Sequence, residues 1–373
     1  MSDLTLILLA AGNSSRFKAP VKKQWLRIGH DPLWLFVTNR IMQMHKFAHV
    51  IIVSHPEEIP FMQSACDYTI VSGGESRQQS LRHAMECVTT PYVLVNDIAR
   101  ACVNLNLIER LIAAKEKADC IIPTLQLNDT ILYADETIQR EKVQRVQTPQ
   151  LSRTDILQNA LKTSIEYTDE SSAIVAYGGT RYYVEGDNHA DKITRINDLA
   201  SLKCLAPPSS MTFTGNGFDV HGFEDGKKMV LGGIEIDSPF GFMAHSDGDV
   251  ALHALIDALL GAACLGDIGM LFPDNDETYK NIDSKVLLTQ CVQKLHQFGF
   301  VIAHADITII AQTPKVSPYK EPMRRLLAEL MHLSPLRVNV KATTTEHLGF
   351  IGRKEGVAVL ATASLHYFDW KNV

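Results

Sequence analysis

The run Gly217-Phe218-Asp219-Val220-His221 sets a carboxylate and an imidazole two positions apart, and further on Ala244-His245-Ser246-Asp247-Gly248-Asp249-Val250-Ala251-Leu252-His253 adds two more histidines. Residues i and i+2 of an extended strand point to the same side, so Asp219 and His221 can present two ligand atoms together. A second imidazole arriving on a helix completes three protein ligands around one metal ion. The fourth tetrahedral corner then stays open, which separates a catalytic zinc site from a structural one. A lone Asp-x-His is a common core or capping pair. Here His245, Ser246, Asp247 and Asp249 bunch at one helix start, and Asp267-Ile268-Gly269 and Phe272-Pro273-Asp274 follow that helix.

A second cluster is Lys341-Ala342-Thr343-Thr344-Thr345-Glu346-His347-Leu348-Gly349-Phe350-Ile351-Gly352-Arg353. Its adjacent hydroxyls, its glycine turns and Arg353 can hold phosphate oxygens, and Glu346 can hold a magnesium that bridges them. A third lies near the start, where Leu4 to Leu9 read as a buried strand running into Ala10-Ala11-Gly12-Asn13-Ser14-Ser15-Arg16-Phe17 and then Lys22-Lys23-Gln24. A strand feeding a small-residue loop is where an open α/β sheet binds phosphates. The loop is neither a P-loop, because no Gly-x-x-x-x-Gly-Lys occurs, nor the three-glycine dinucleotide fingerprint.

The elements that must position these residues are legible from pattern. Val250, Leu252, Leu255, Ile256, Leu259 and Leu260 recur at helical spacing, with Asp247 as the expected cap and His253 and Asp257 four apart on one face. Val50-Ile51-Ile52-Val53, Tyr92-Val93-Leu94-Val95 and Cys120-Ile121-Ile122 read as short buried strands separated by helices, the pattern of a mostly parallel sheet. Polar clusters follow two turns, at Gly73-Gly74-Glu75-Ser76-Arg77 with Ser80 and at Asn96-Asp97-Ile98-Ala99-Arg100.

The 373 residues predict about two or three domains, and 46% hydrophobic content gives each half a core of its own. Leu205-Ala206-Pro207-Pro208-Ser209-Ser210-Met211 reads as a short, stiff linker, which divides the chain into 1–204, the linker 205–211, and 212–373. A net charge of −6 argues against a protein that coats nucleic acid or acidic lipid. No apolar run reaches membrane-span length, and Met1-Ser2-Asp3 opens straight into a strand without a signal peptide. The seven cysteines include no Cys-x-x-Cys and read as reduced thiols of a cytoplasmic protein, Cys102 and Cys264 as small buried hydrophobes.

From about Thr212 to Phe368 the chain resembles the 2-C-methyl-D-erythritol 2,4-cyclodiphosphate synthase family, on GFDVH, AHSDGDVALHALIDALLGAACLGDIG, FPD, IIAQTPK and VKATTTEHLGFIGR. The resemblance implies that Asp219, His221 and His253 bind zinc or another divalent cation, and that Glu346 coordinates a magnesium on the substrate diphosphate. It places His245 and Thr344 as transition-state stabilisers and Asp267 and Gly269 at the erythritol and ribose hydroxyls. Ala311 to Ser317, including Lys315, match the cytidine pocket. Ser246, Asp257, Phe272, Asp274, Asp276, Thr343, Phe350 and Arg353 are implied substrate contacts. In this family a phosphate oxygen of diphosphocytidyl methylerythritol phosphate attacks the phosphorus nearer the sugar and CMP departs, with no covalent intermediate on the enzyme.

Residues 4 to 203 resemble the 2-C-methyl-D-erythritol 4-phosphate cytidylyltransferase family, on LLAAGNSSRF, KKQ, GGESRQQS, NDIAR, QTPQ, TDESSA and VEGDNHADKIT. This resemblance implies that Arg16 and Lys23 stabilise the pentavalent α-phosphate of CTP beside the Gly12 loop. It sets Gly74, Glu75 and Ser80 around the cytosine, and Arg140 and Lys192 on the phosphate of methylerythritol phosphate, with Asp97 and Thr168 nearby. Magnesium leaves with pyrophosphate. Ser14 stands where the family has a second glycine and Ala101 where it has a proline; an ordinary φ at Ser14 would still let the backbone approach the phosphates.

Together the resemblances imply an α/β chain with a Rossmann-like nucleotidyltransferase domain, a mostly parallel sheet at its centre, and an α+β cyclodiphosphate synthase domain. They imply a bifunctional enzyme of non-mevalonate isoprenoid biosynthesis; the alternative is a cyclase whose first half is a silent assembly or nucleotide-sensing module. A trimeric cyclase joined to a dimeric transferase would close into an assembly such as a hexamer. The intervening kinase step has no counterpart in the chain, which raises weak association with a separate kinase as an expectation.

Overall fold

The computed structural model describes residues 2–244, 247–273, 277–279 and 282–372, so His245, Ser246, Asp274 and Asp276 lie outside the described residues. Contacts divide the chain into two units, Met1–Pro208 together with Asp369–Val373, and Ser209–Phe368. The sequence assigns 369–373 to the second half; instead Trp370, buried at 7% exposure, donates from its indole Nε1 to Arg27 O at 2.7 Å inside the first unit. The expected linker is also partly anchored there, because Gly29 N donates to Pro207 O at 3.1 Å.

In the first unit β1 (Leu4–Leu9), β2 (His49–Ser54), β3 (Thr69–Ser72) and β4 (Tyr92–Asp97) run parallel in the order β4-β1-β2-β3. The apolar runs of β1, β2 and β4 are buried on both faces, as a sheet covered by helices requires, while the edge strand β3 is only half-buried. Beyond β4 the sheet becomes mixed. β5 (Cys120–Gln126) pairs antiparallel with β6 (Gln144–Val146) and β7 (Gln150–Arg153) and parallel with β8 (Arg181–Glu185). All four parallel strands deliver their carboxyl ends to one edge, where open α/β sheets bind ligands.

Reduced thiols throughout are not what the fold contains. Cys102 and Cys204 are joined by a disulfide, because the loop after β4 and the end of the unit bring their Cα atoms to 5.7 Å, within bridging range. Cys264, expected to be a buried hydrophobe, is exposed.

The second unit is a five-stranded sheet in the order β10-β9-β13-β11-β12, with β9 (Phe213–Asp225), β10 (Phe240–Phe242), β11 (Phe300–Ile310), β12 (Val338–Thr343) and β13 (Gly356–Tyr367). Only β11 and β12 pair in parallel. Helix α1 (Val250–Ala262) packs on β9 and β13. Its N-cap is Asp249 and not Asp247: the buried Asp249 Oδ1 accepts from Ala251 N and Leu252 N, both at 3.1 Å, while its two oxygens also accept from Gly232 N and Gly233 N. The helices that follow are the one-turn α2 (Ile268–Leu271) and the longer α3 (Ser284–Gln297).

Two glycines set the distance between α1 and β9. A Cβ on Gly217 would lie 1.9 Å from Ala254 O, and one on Gly215 would lie 2.3 Å from Ala258 O and Ala262 N. Helix backbone therefore rests directly on strand backbone, two residues before Asp219. Gly217→Ala should destabilise the second unit by about 1–3 kcal/mol through overpacking and displace His253 from Asp219. The checks are a lower melting transition and weaker metal binding; an unchanged melting temperature would refute the close-contact argument.

Candidate active sites

β9 turns Asp219 and His221 to the same side as Gly215 and Gly217, and α1 delivers His253 to them. Asp219 Oδ2 lies 3.2 Å from His221 Nε2 and 3.3 Å from His253 Nδ1, and one ligand atom from each residue falls within 4.8 Å of the others. That oxygen is buried and has no hydrogen-bond partner, a costly state unless a further group occupies the space between the three side chains. The O, N, N donor set suits a divalent cation such as zinc. Burial works against the charges, yet when the inward ring nitrogens carry protons they hold the Asp219 carboxyl well below the usual range, and Asp219 in turn favours the proton on His221.

Both imidazoles are oriented from behind. His221 Nδ1–H donates to Gly248 O at 2.9 Å, which leaves the Nε2 lone pair toward Asp219. Ser284 Oγ donates to Asp247 Oδ1 at 2.5 Å and so accepts from His253 Nε2–H at 3.0 Å, which leaves the Nδ1 lone pair inward. Such partners fix the tautomer and the ring direction of a ligating histidine. Asp257, one turn beyond His253, accepts from Ile268 N at 2.8 Å, and burial raises its pKa. Asp267 caps α2 through Met270 N, Gly269 sits exposed within α2, and Phe272 is buried edge-on against Tyr279.

The hydroxyl and carboxylate loop is elsewhere in the chain. Asp219 pairs with Val359, Val359 with Ile309 and Ile309 with Ala342, so β12 lies three strand spacings from Asp219, about 14 Å. Thr343 ends β12, and Thr344 Oγ1 donates to Glu346 Oε1 at 2.8 Å. Glu346 and His347 take φ of 51° and 65°, left-handed values that β-carbons resist and that cluster at ligand sites. The loop after β11 lies alongside: Ala311 N donates to Thr343 O, and Gln312 accepts from His347 N. Lys315 and Phe350 are exposed, and Arg353, exposed too, is engaged by Glu355 at 2.7 Å. The structure thus joins the 311–315 and 343–353 loops but does not bring them to the three ligands within one chain.

In the first unit a cavity of about 680 Å³ opens at the carboxyl ends of β1 to β4. Gly12, Arg16, Lys23, Gly74, Glu75, Ser80, Asp97 and Lys192 all line it. Ser14 does not have an ordinary φ: at 54° it occupies the left-handed region, which explains a glycine there in the family, and its Oγ accepts from Lys23 N at 3.0 Å. Gly74 N donates to Ser80 Oγ at 3.0 Å. Burial, then the nearby Lys192 and Arg16 charges, lower the Lys23 ammonium to about 8. Asp97 accepts from Lys192 Nζ at 2.6 Å and from Arg77 Nε at 3.0 Å; against the effect of burial, these cations hold it well below the ordinary carboxylate range. Thr168 lines an adjoining cavity of about 300 Å³ with Asp97, Arg100 and Lys192. Arg140 lines neither cavity; it is exposed, donating to Asn128 O at 2.6 Å and pairing with Glu141.

Residues 4–205 match the family model described as 2-C-methyl-D-erythritol 4-phosphate cytidylyltransferase, and residues 212–366 match the YgbB family. The chain is 55% identical over its whole length to all of the bifunctional enzyme IspD/IspF of Nitratiruptor sp.. It is 56% identical, again over its whole length, to 97% of that of Sulfurimonas denitrificans. The structure of the bifunctional IspDF from Campylobacter jejuni superposes with a TM-score of 0.92 at 47% identity, covering 99% of this chain and 100% of that one.

The chain belongs to the bifunctional IspD/IspF family.

It is accordingly a two-activity enzyme of isoprenoid precursor biosynthesis, a nucleotidyltransferase joined to a cyclodiphosphate synthase, and the cyclase-only alternative finds no support in these full-length matches. As an IspD/IspF enzyme it uses divalent metal, consistent with the three ligands found. Sequence reasoning missed the groups that hold the site residues in place. Arg77 is the largest omission: it bridges Asp97 and the buried Glu170, donating to Glu170 Oε1 at 2.7 Å. Its place at the start of the helix after Gly73-Gly74 was the available signal. Asp247 was legible only as a candidate cap, and Ser284, 31 positions from His253, carried no signal.

The lowered Lys23 ammonium has a direct consequence for the transferase. As the protonated amine is the form that attracts phosphate, kcat/KM for CTP should be level below about pH 7 and fall as pH rises through about 8. A profile that stays flat to pH 9.5 would refute the assignment.

Proposed function

We propose that the first unit transfers CMP from CTP to 2-C-methyl-D-erythritol 4-phosphate and that the second cyclises 4-diphosphocytidyl-2-C-methyl-D-erythritol 2-phosphate to the 2,4-cyclodiphosphate with release of CMP. The observation that carries the reading is the presence, in separate units, of a cation-lined cavity and a trio of converging ligands with a partnerless carboxylate oxygen.

In the first unit Arg16 and Lys23 hold the α-phosphate as negative charge builds, while Gly74, Glu75 and Ser80 seat the cytosine beside the Gly12 loop. Lys192, fixed by Asp97, faces the acceptor phosphate, and Thr168 borders the same space. Attack is in line and pyrophosphate departs with magnesium; positioning and cationic clamping supply most of the rate. Arg140, exposed and outside both cavities of its own chain, would reach an acceptor phosphate in a partner copy.

In the second unit Asp219, His221 and His253 would hold zinc and Glu346 a magnesium. When bound, these cations would neutralise the repulsion between the two reacting phosphates and polarise the phosphorus. Thr344 and His245 stabilise the developing charge, and Ala311 and Lys315 belong to the cytidine pocket. The separation of β12 from Asp219 supports a site completed between copies. So does the uncovered sheet face, on which Phe218 is 60% and Leu360 44% exposed. A trimer of this unit, possible closure into a hexamer, a cytoplasmic setting and weak association with a separate kinase complete the proposal. No described helix is long and apolar enough to cross a membrane.

Lys23→Ala should reduce cytidylyl transfer by about 10²-fold or more and leave cyclisation intact. His253→Ala should do the reverse and lose bound metal, read by elemental analysis. Loss of both activities in either variant would refute independent sites. Sedimentation of the chain alone and with the purified kinase checks assembly: a trimer or a multiple of it is expected, a monomer refutes the shared site, and unchanged sedimentation on adding kinase refutes that association.

A further inference from the structure

Four consecutive residues, Lys22 to Trp25, form a turn at the mouth of the transferase cavity, and three of them send a side-chain donor to one carboxylate. Lys22 Nζ donates to Glu58 Oε1 at 2.6 Å, Gln24 Nε2 to Oε2 at 3.0 Å, and Trp25 Nε1 to Oε2 at 2.9 Å. Glu58 is 1% exposed and comes from the short turn Pro56–Glu58 that follows β2. The fourth residue of the run, Lys23, lines the cavity instead, where its Nζ donates to Ile193 O at 2.6 Å. Its backbone N–H is held from the phosphate loop by Ser14 Oγ.

We infer that Glu58 is a positioning residue for cytidylyl transfer, gathering the donors on both sides of Lys23 so that the turn presents the ammonium of Lys23, and not that of Lys22, to the cavity. The inference rests on the reading of Lys23 as the phosphate clamp. A buried carboxylate with three donors is rigid because releasing any donor leaves charge or N–H groups without partners. That rigidity is what Lys23 lacks by itself: a four-carbon stem facing Arg16 and Lys192 is pushed outward by like charge, against the attraction of Asp97, Asp198 and the Ile193 carbonyl. Glu58 touches neither Lys23 nor the cavity, so its effect has to pass through the turn.

The experiment compares Glu58→Gln, Trp25→Phe and Lys23→Ala in the full chain, with CTP and methylerythritol phosphate as substrates. The cyclase rate of the same sample is read as a control, and near-ultraviolet circular dichroism reports packing of the first unit. Glu58→Gln is expected to lower transferase kcat about tenfold or more with KM for CTP little changed, as for a misplaced catalytic group. The alkaline limb of its pH profile should move upward as Lys23 withdraws toward water. Trp25→Phe, which removes one donor and keeps the ring, should shift both readouts in the same direction by less; it decides the matter if Glu58→Gln loses the circular dichroism signal. Wild-type kcat and pH limb in a folded variant, or a loss confined to KM, would overturn the positioning role if Lys23→Ala is inactive. Retained transfer in Lys23→Ala would instead overturn the reading of Lys23 itself.

Discussion

Every charge that this chain takes out of water has to be matched, and that requirement organises both units. Binding nucleotide phosphates calls for several cations in one cavity, where Arg16, Lys23 and Lys192 repel one another. Buried carboxylates answer that repulsion. Asp97 ties down Lys192 and Arg77, and Glu170 takes the other end of Arg77. Glu58 collects the donors around Lys23. In the second unit Asp249 satisfies four backbone N–H groups at the start of the helix that carries His253, and Asp247 reaches the same histidine through Ser284. Such networks are rigid because a partly satisfied buried charge is expensive, and rigidity is what catalytic positioning needs.

The same carboxylates separate two kinds of acidic residue. Asp97 and Glu58 are engaged by donors on both oxygens and Glu170 by Arg77 on one, so they are parts of the frame. Asp219 differs in what its partnerless buried oxygen faces, two ring nitrogens that converge on it from a strand and a helix. Other buried atoms lack partners too, Glu170 Oε2 and Asp187 Oδ2 among them, but only where two imidazole nitrogens converge on such an oxygen is a divalent cation the fitting occupant.

Close backbone packing supplies what charge pairing cannot. Gly215 and Gly217 let α1 rest on β9, and only at that distance do ligands from a strand and a helix meet around one point. The sheet then fixes the other distance: three strand spacings separate the ligand trio from the Thr344 and Glu346 loop. The proposed completion of the site by a neighbouring copy rests on that distance.

Much of this was legible in the chain. Apolar runs announced β1, β2 and β4, because a strand buried on both faces must be hydrophobic throughout. The Asp-x-His spacing announced a shared side of a strand, because the pleat has a period of two. Helical spacing placed His253 on α1, although the cap proved to be Asp249, since two acids so close compete and only backbone geometry chooses between them. The sequence alone thus determined the two families, their fold class and the two activities, all properties carried by local pattern or by long matching motifs. Tertiary structure alone decided that Cys102 meets Cys204, that Ser14 takes a left-handed φ, that residues 369–373 return to the first unit, and that Glu58, Arg77 and Ser284 hold the working residues in place. Those facts depend on which distant segments share space, and a buried group's partner is set by three-dimensional proximity, which no spacing along the chain encodes.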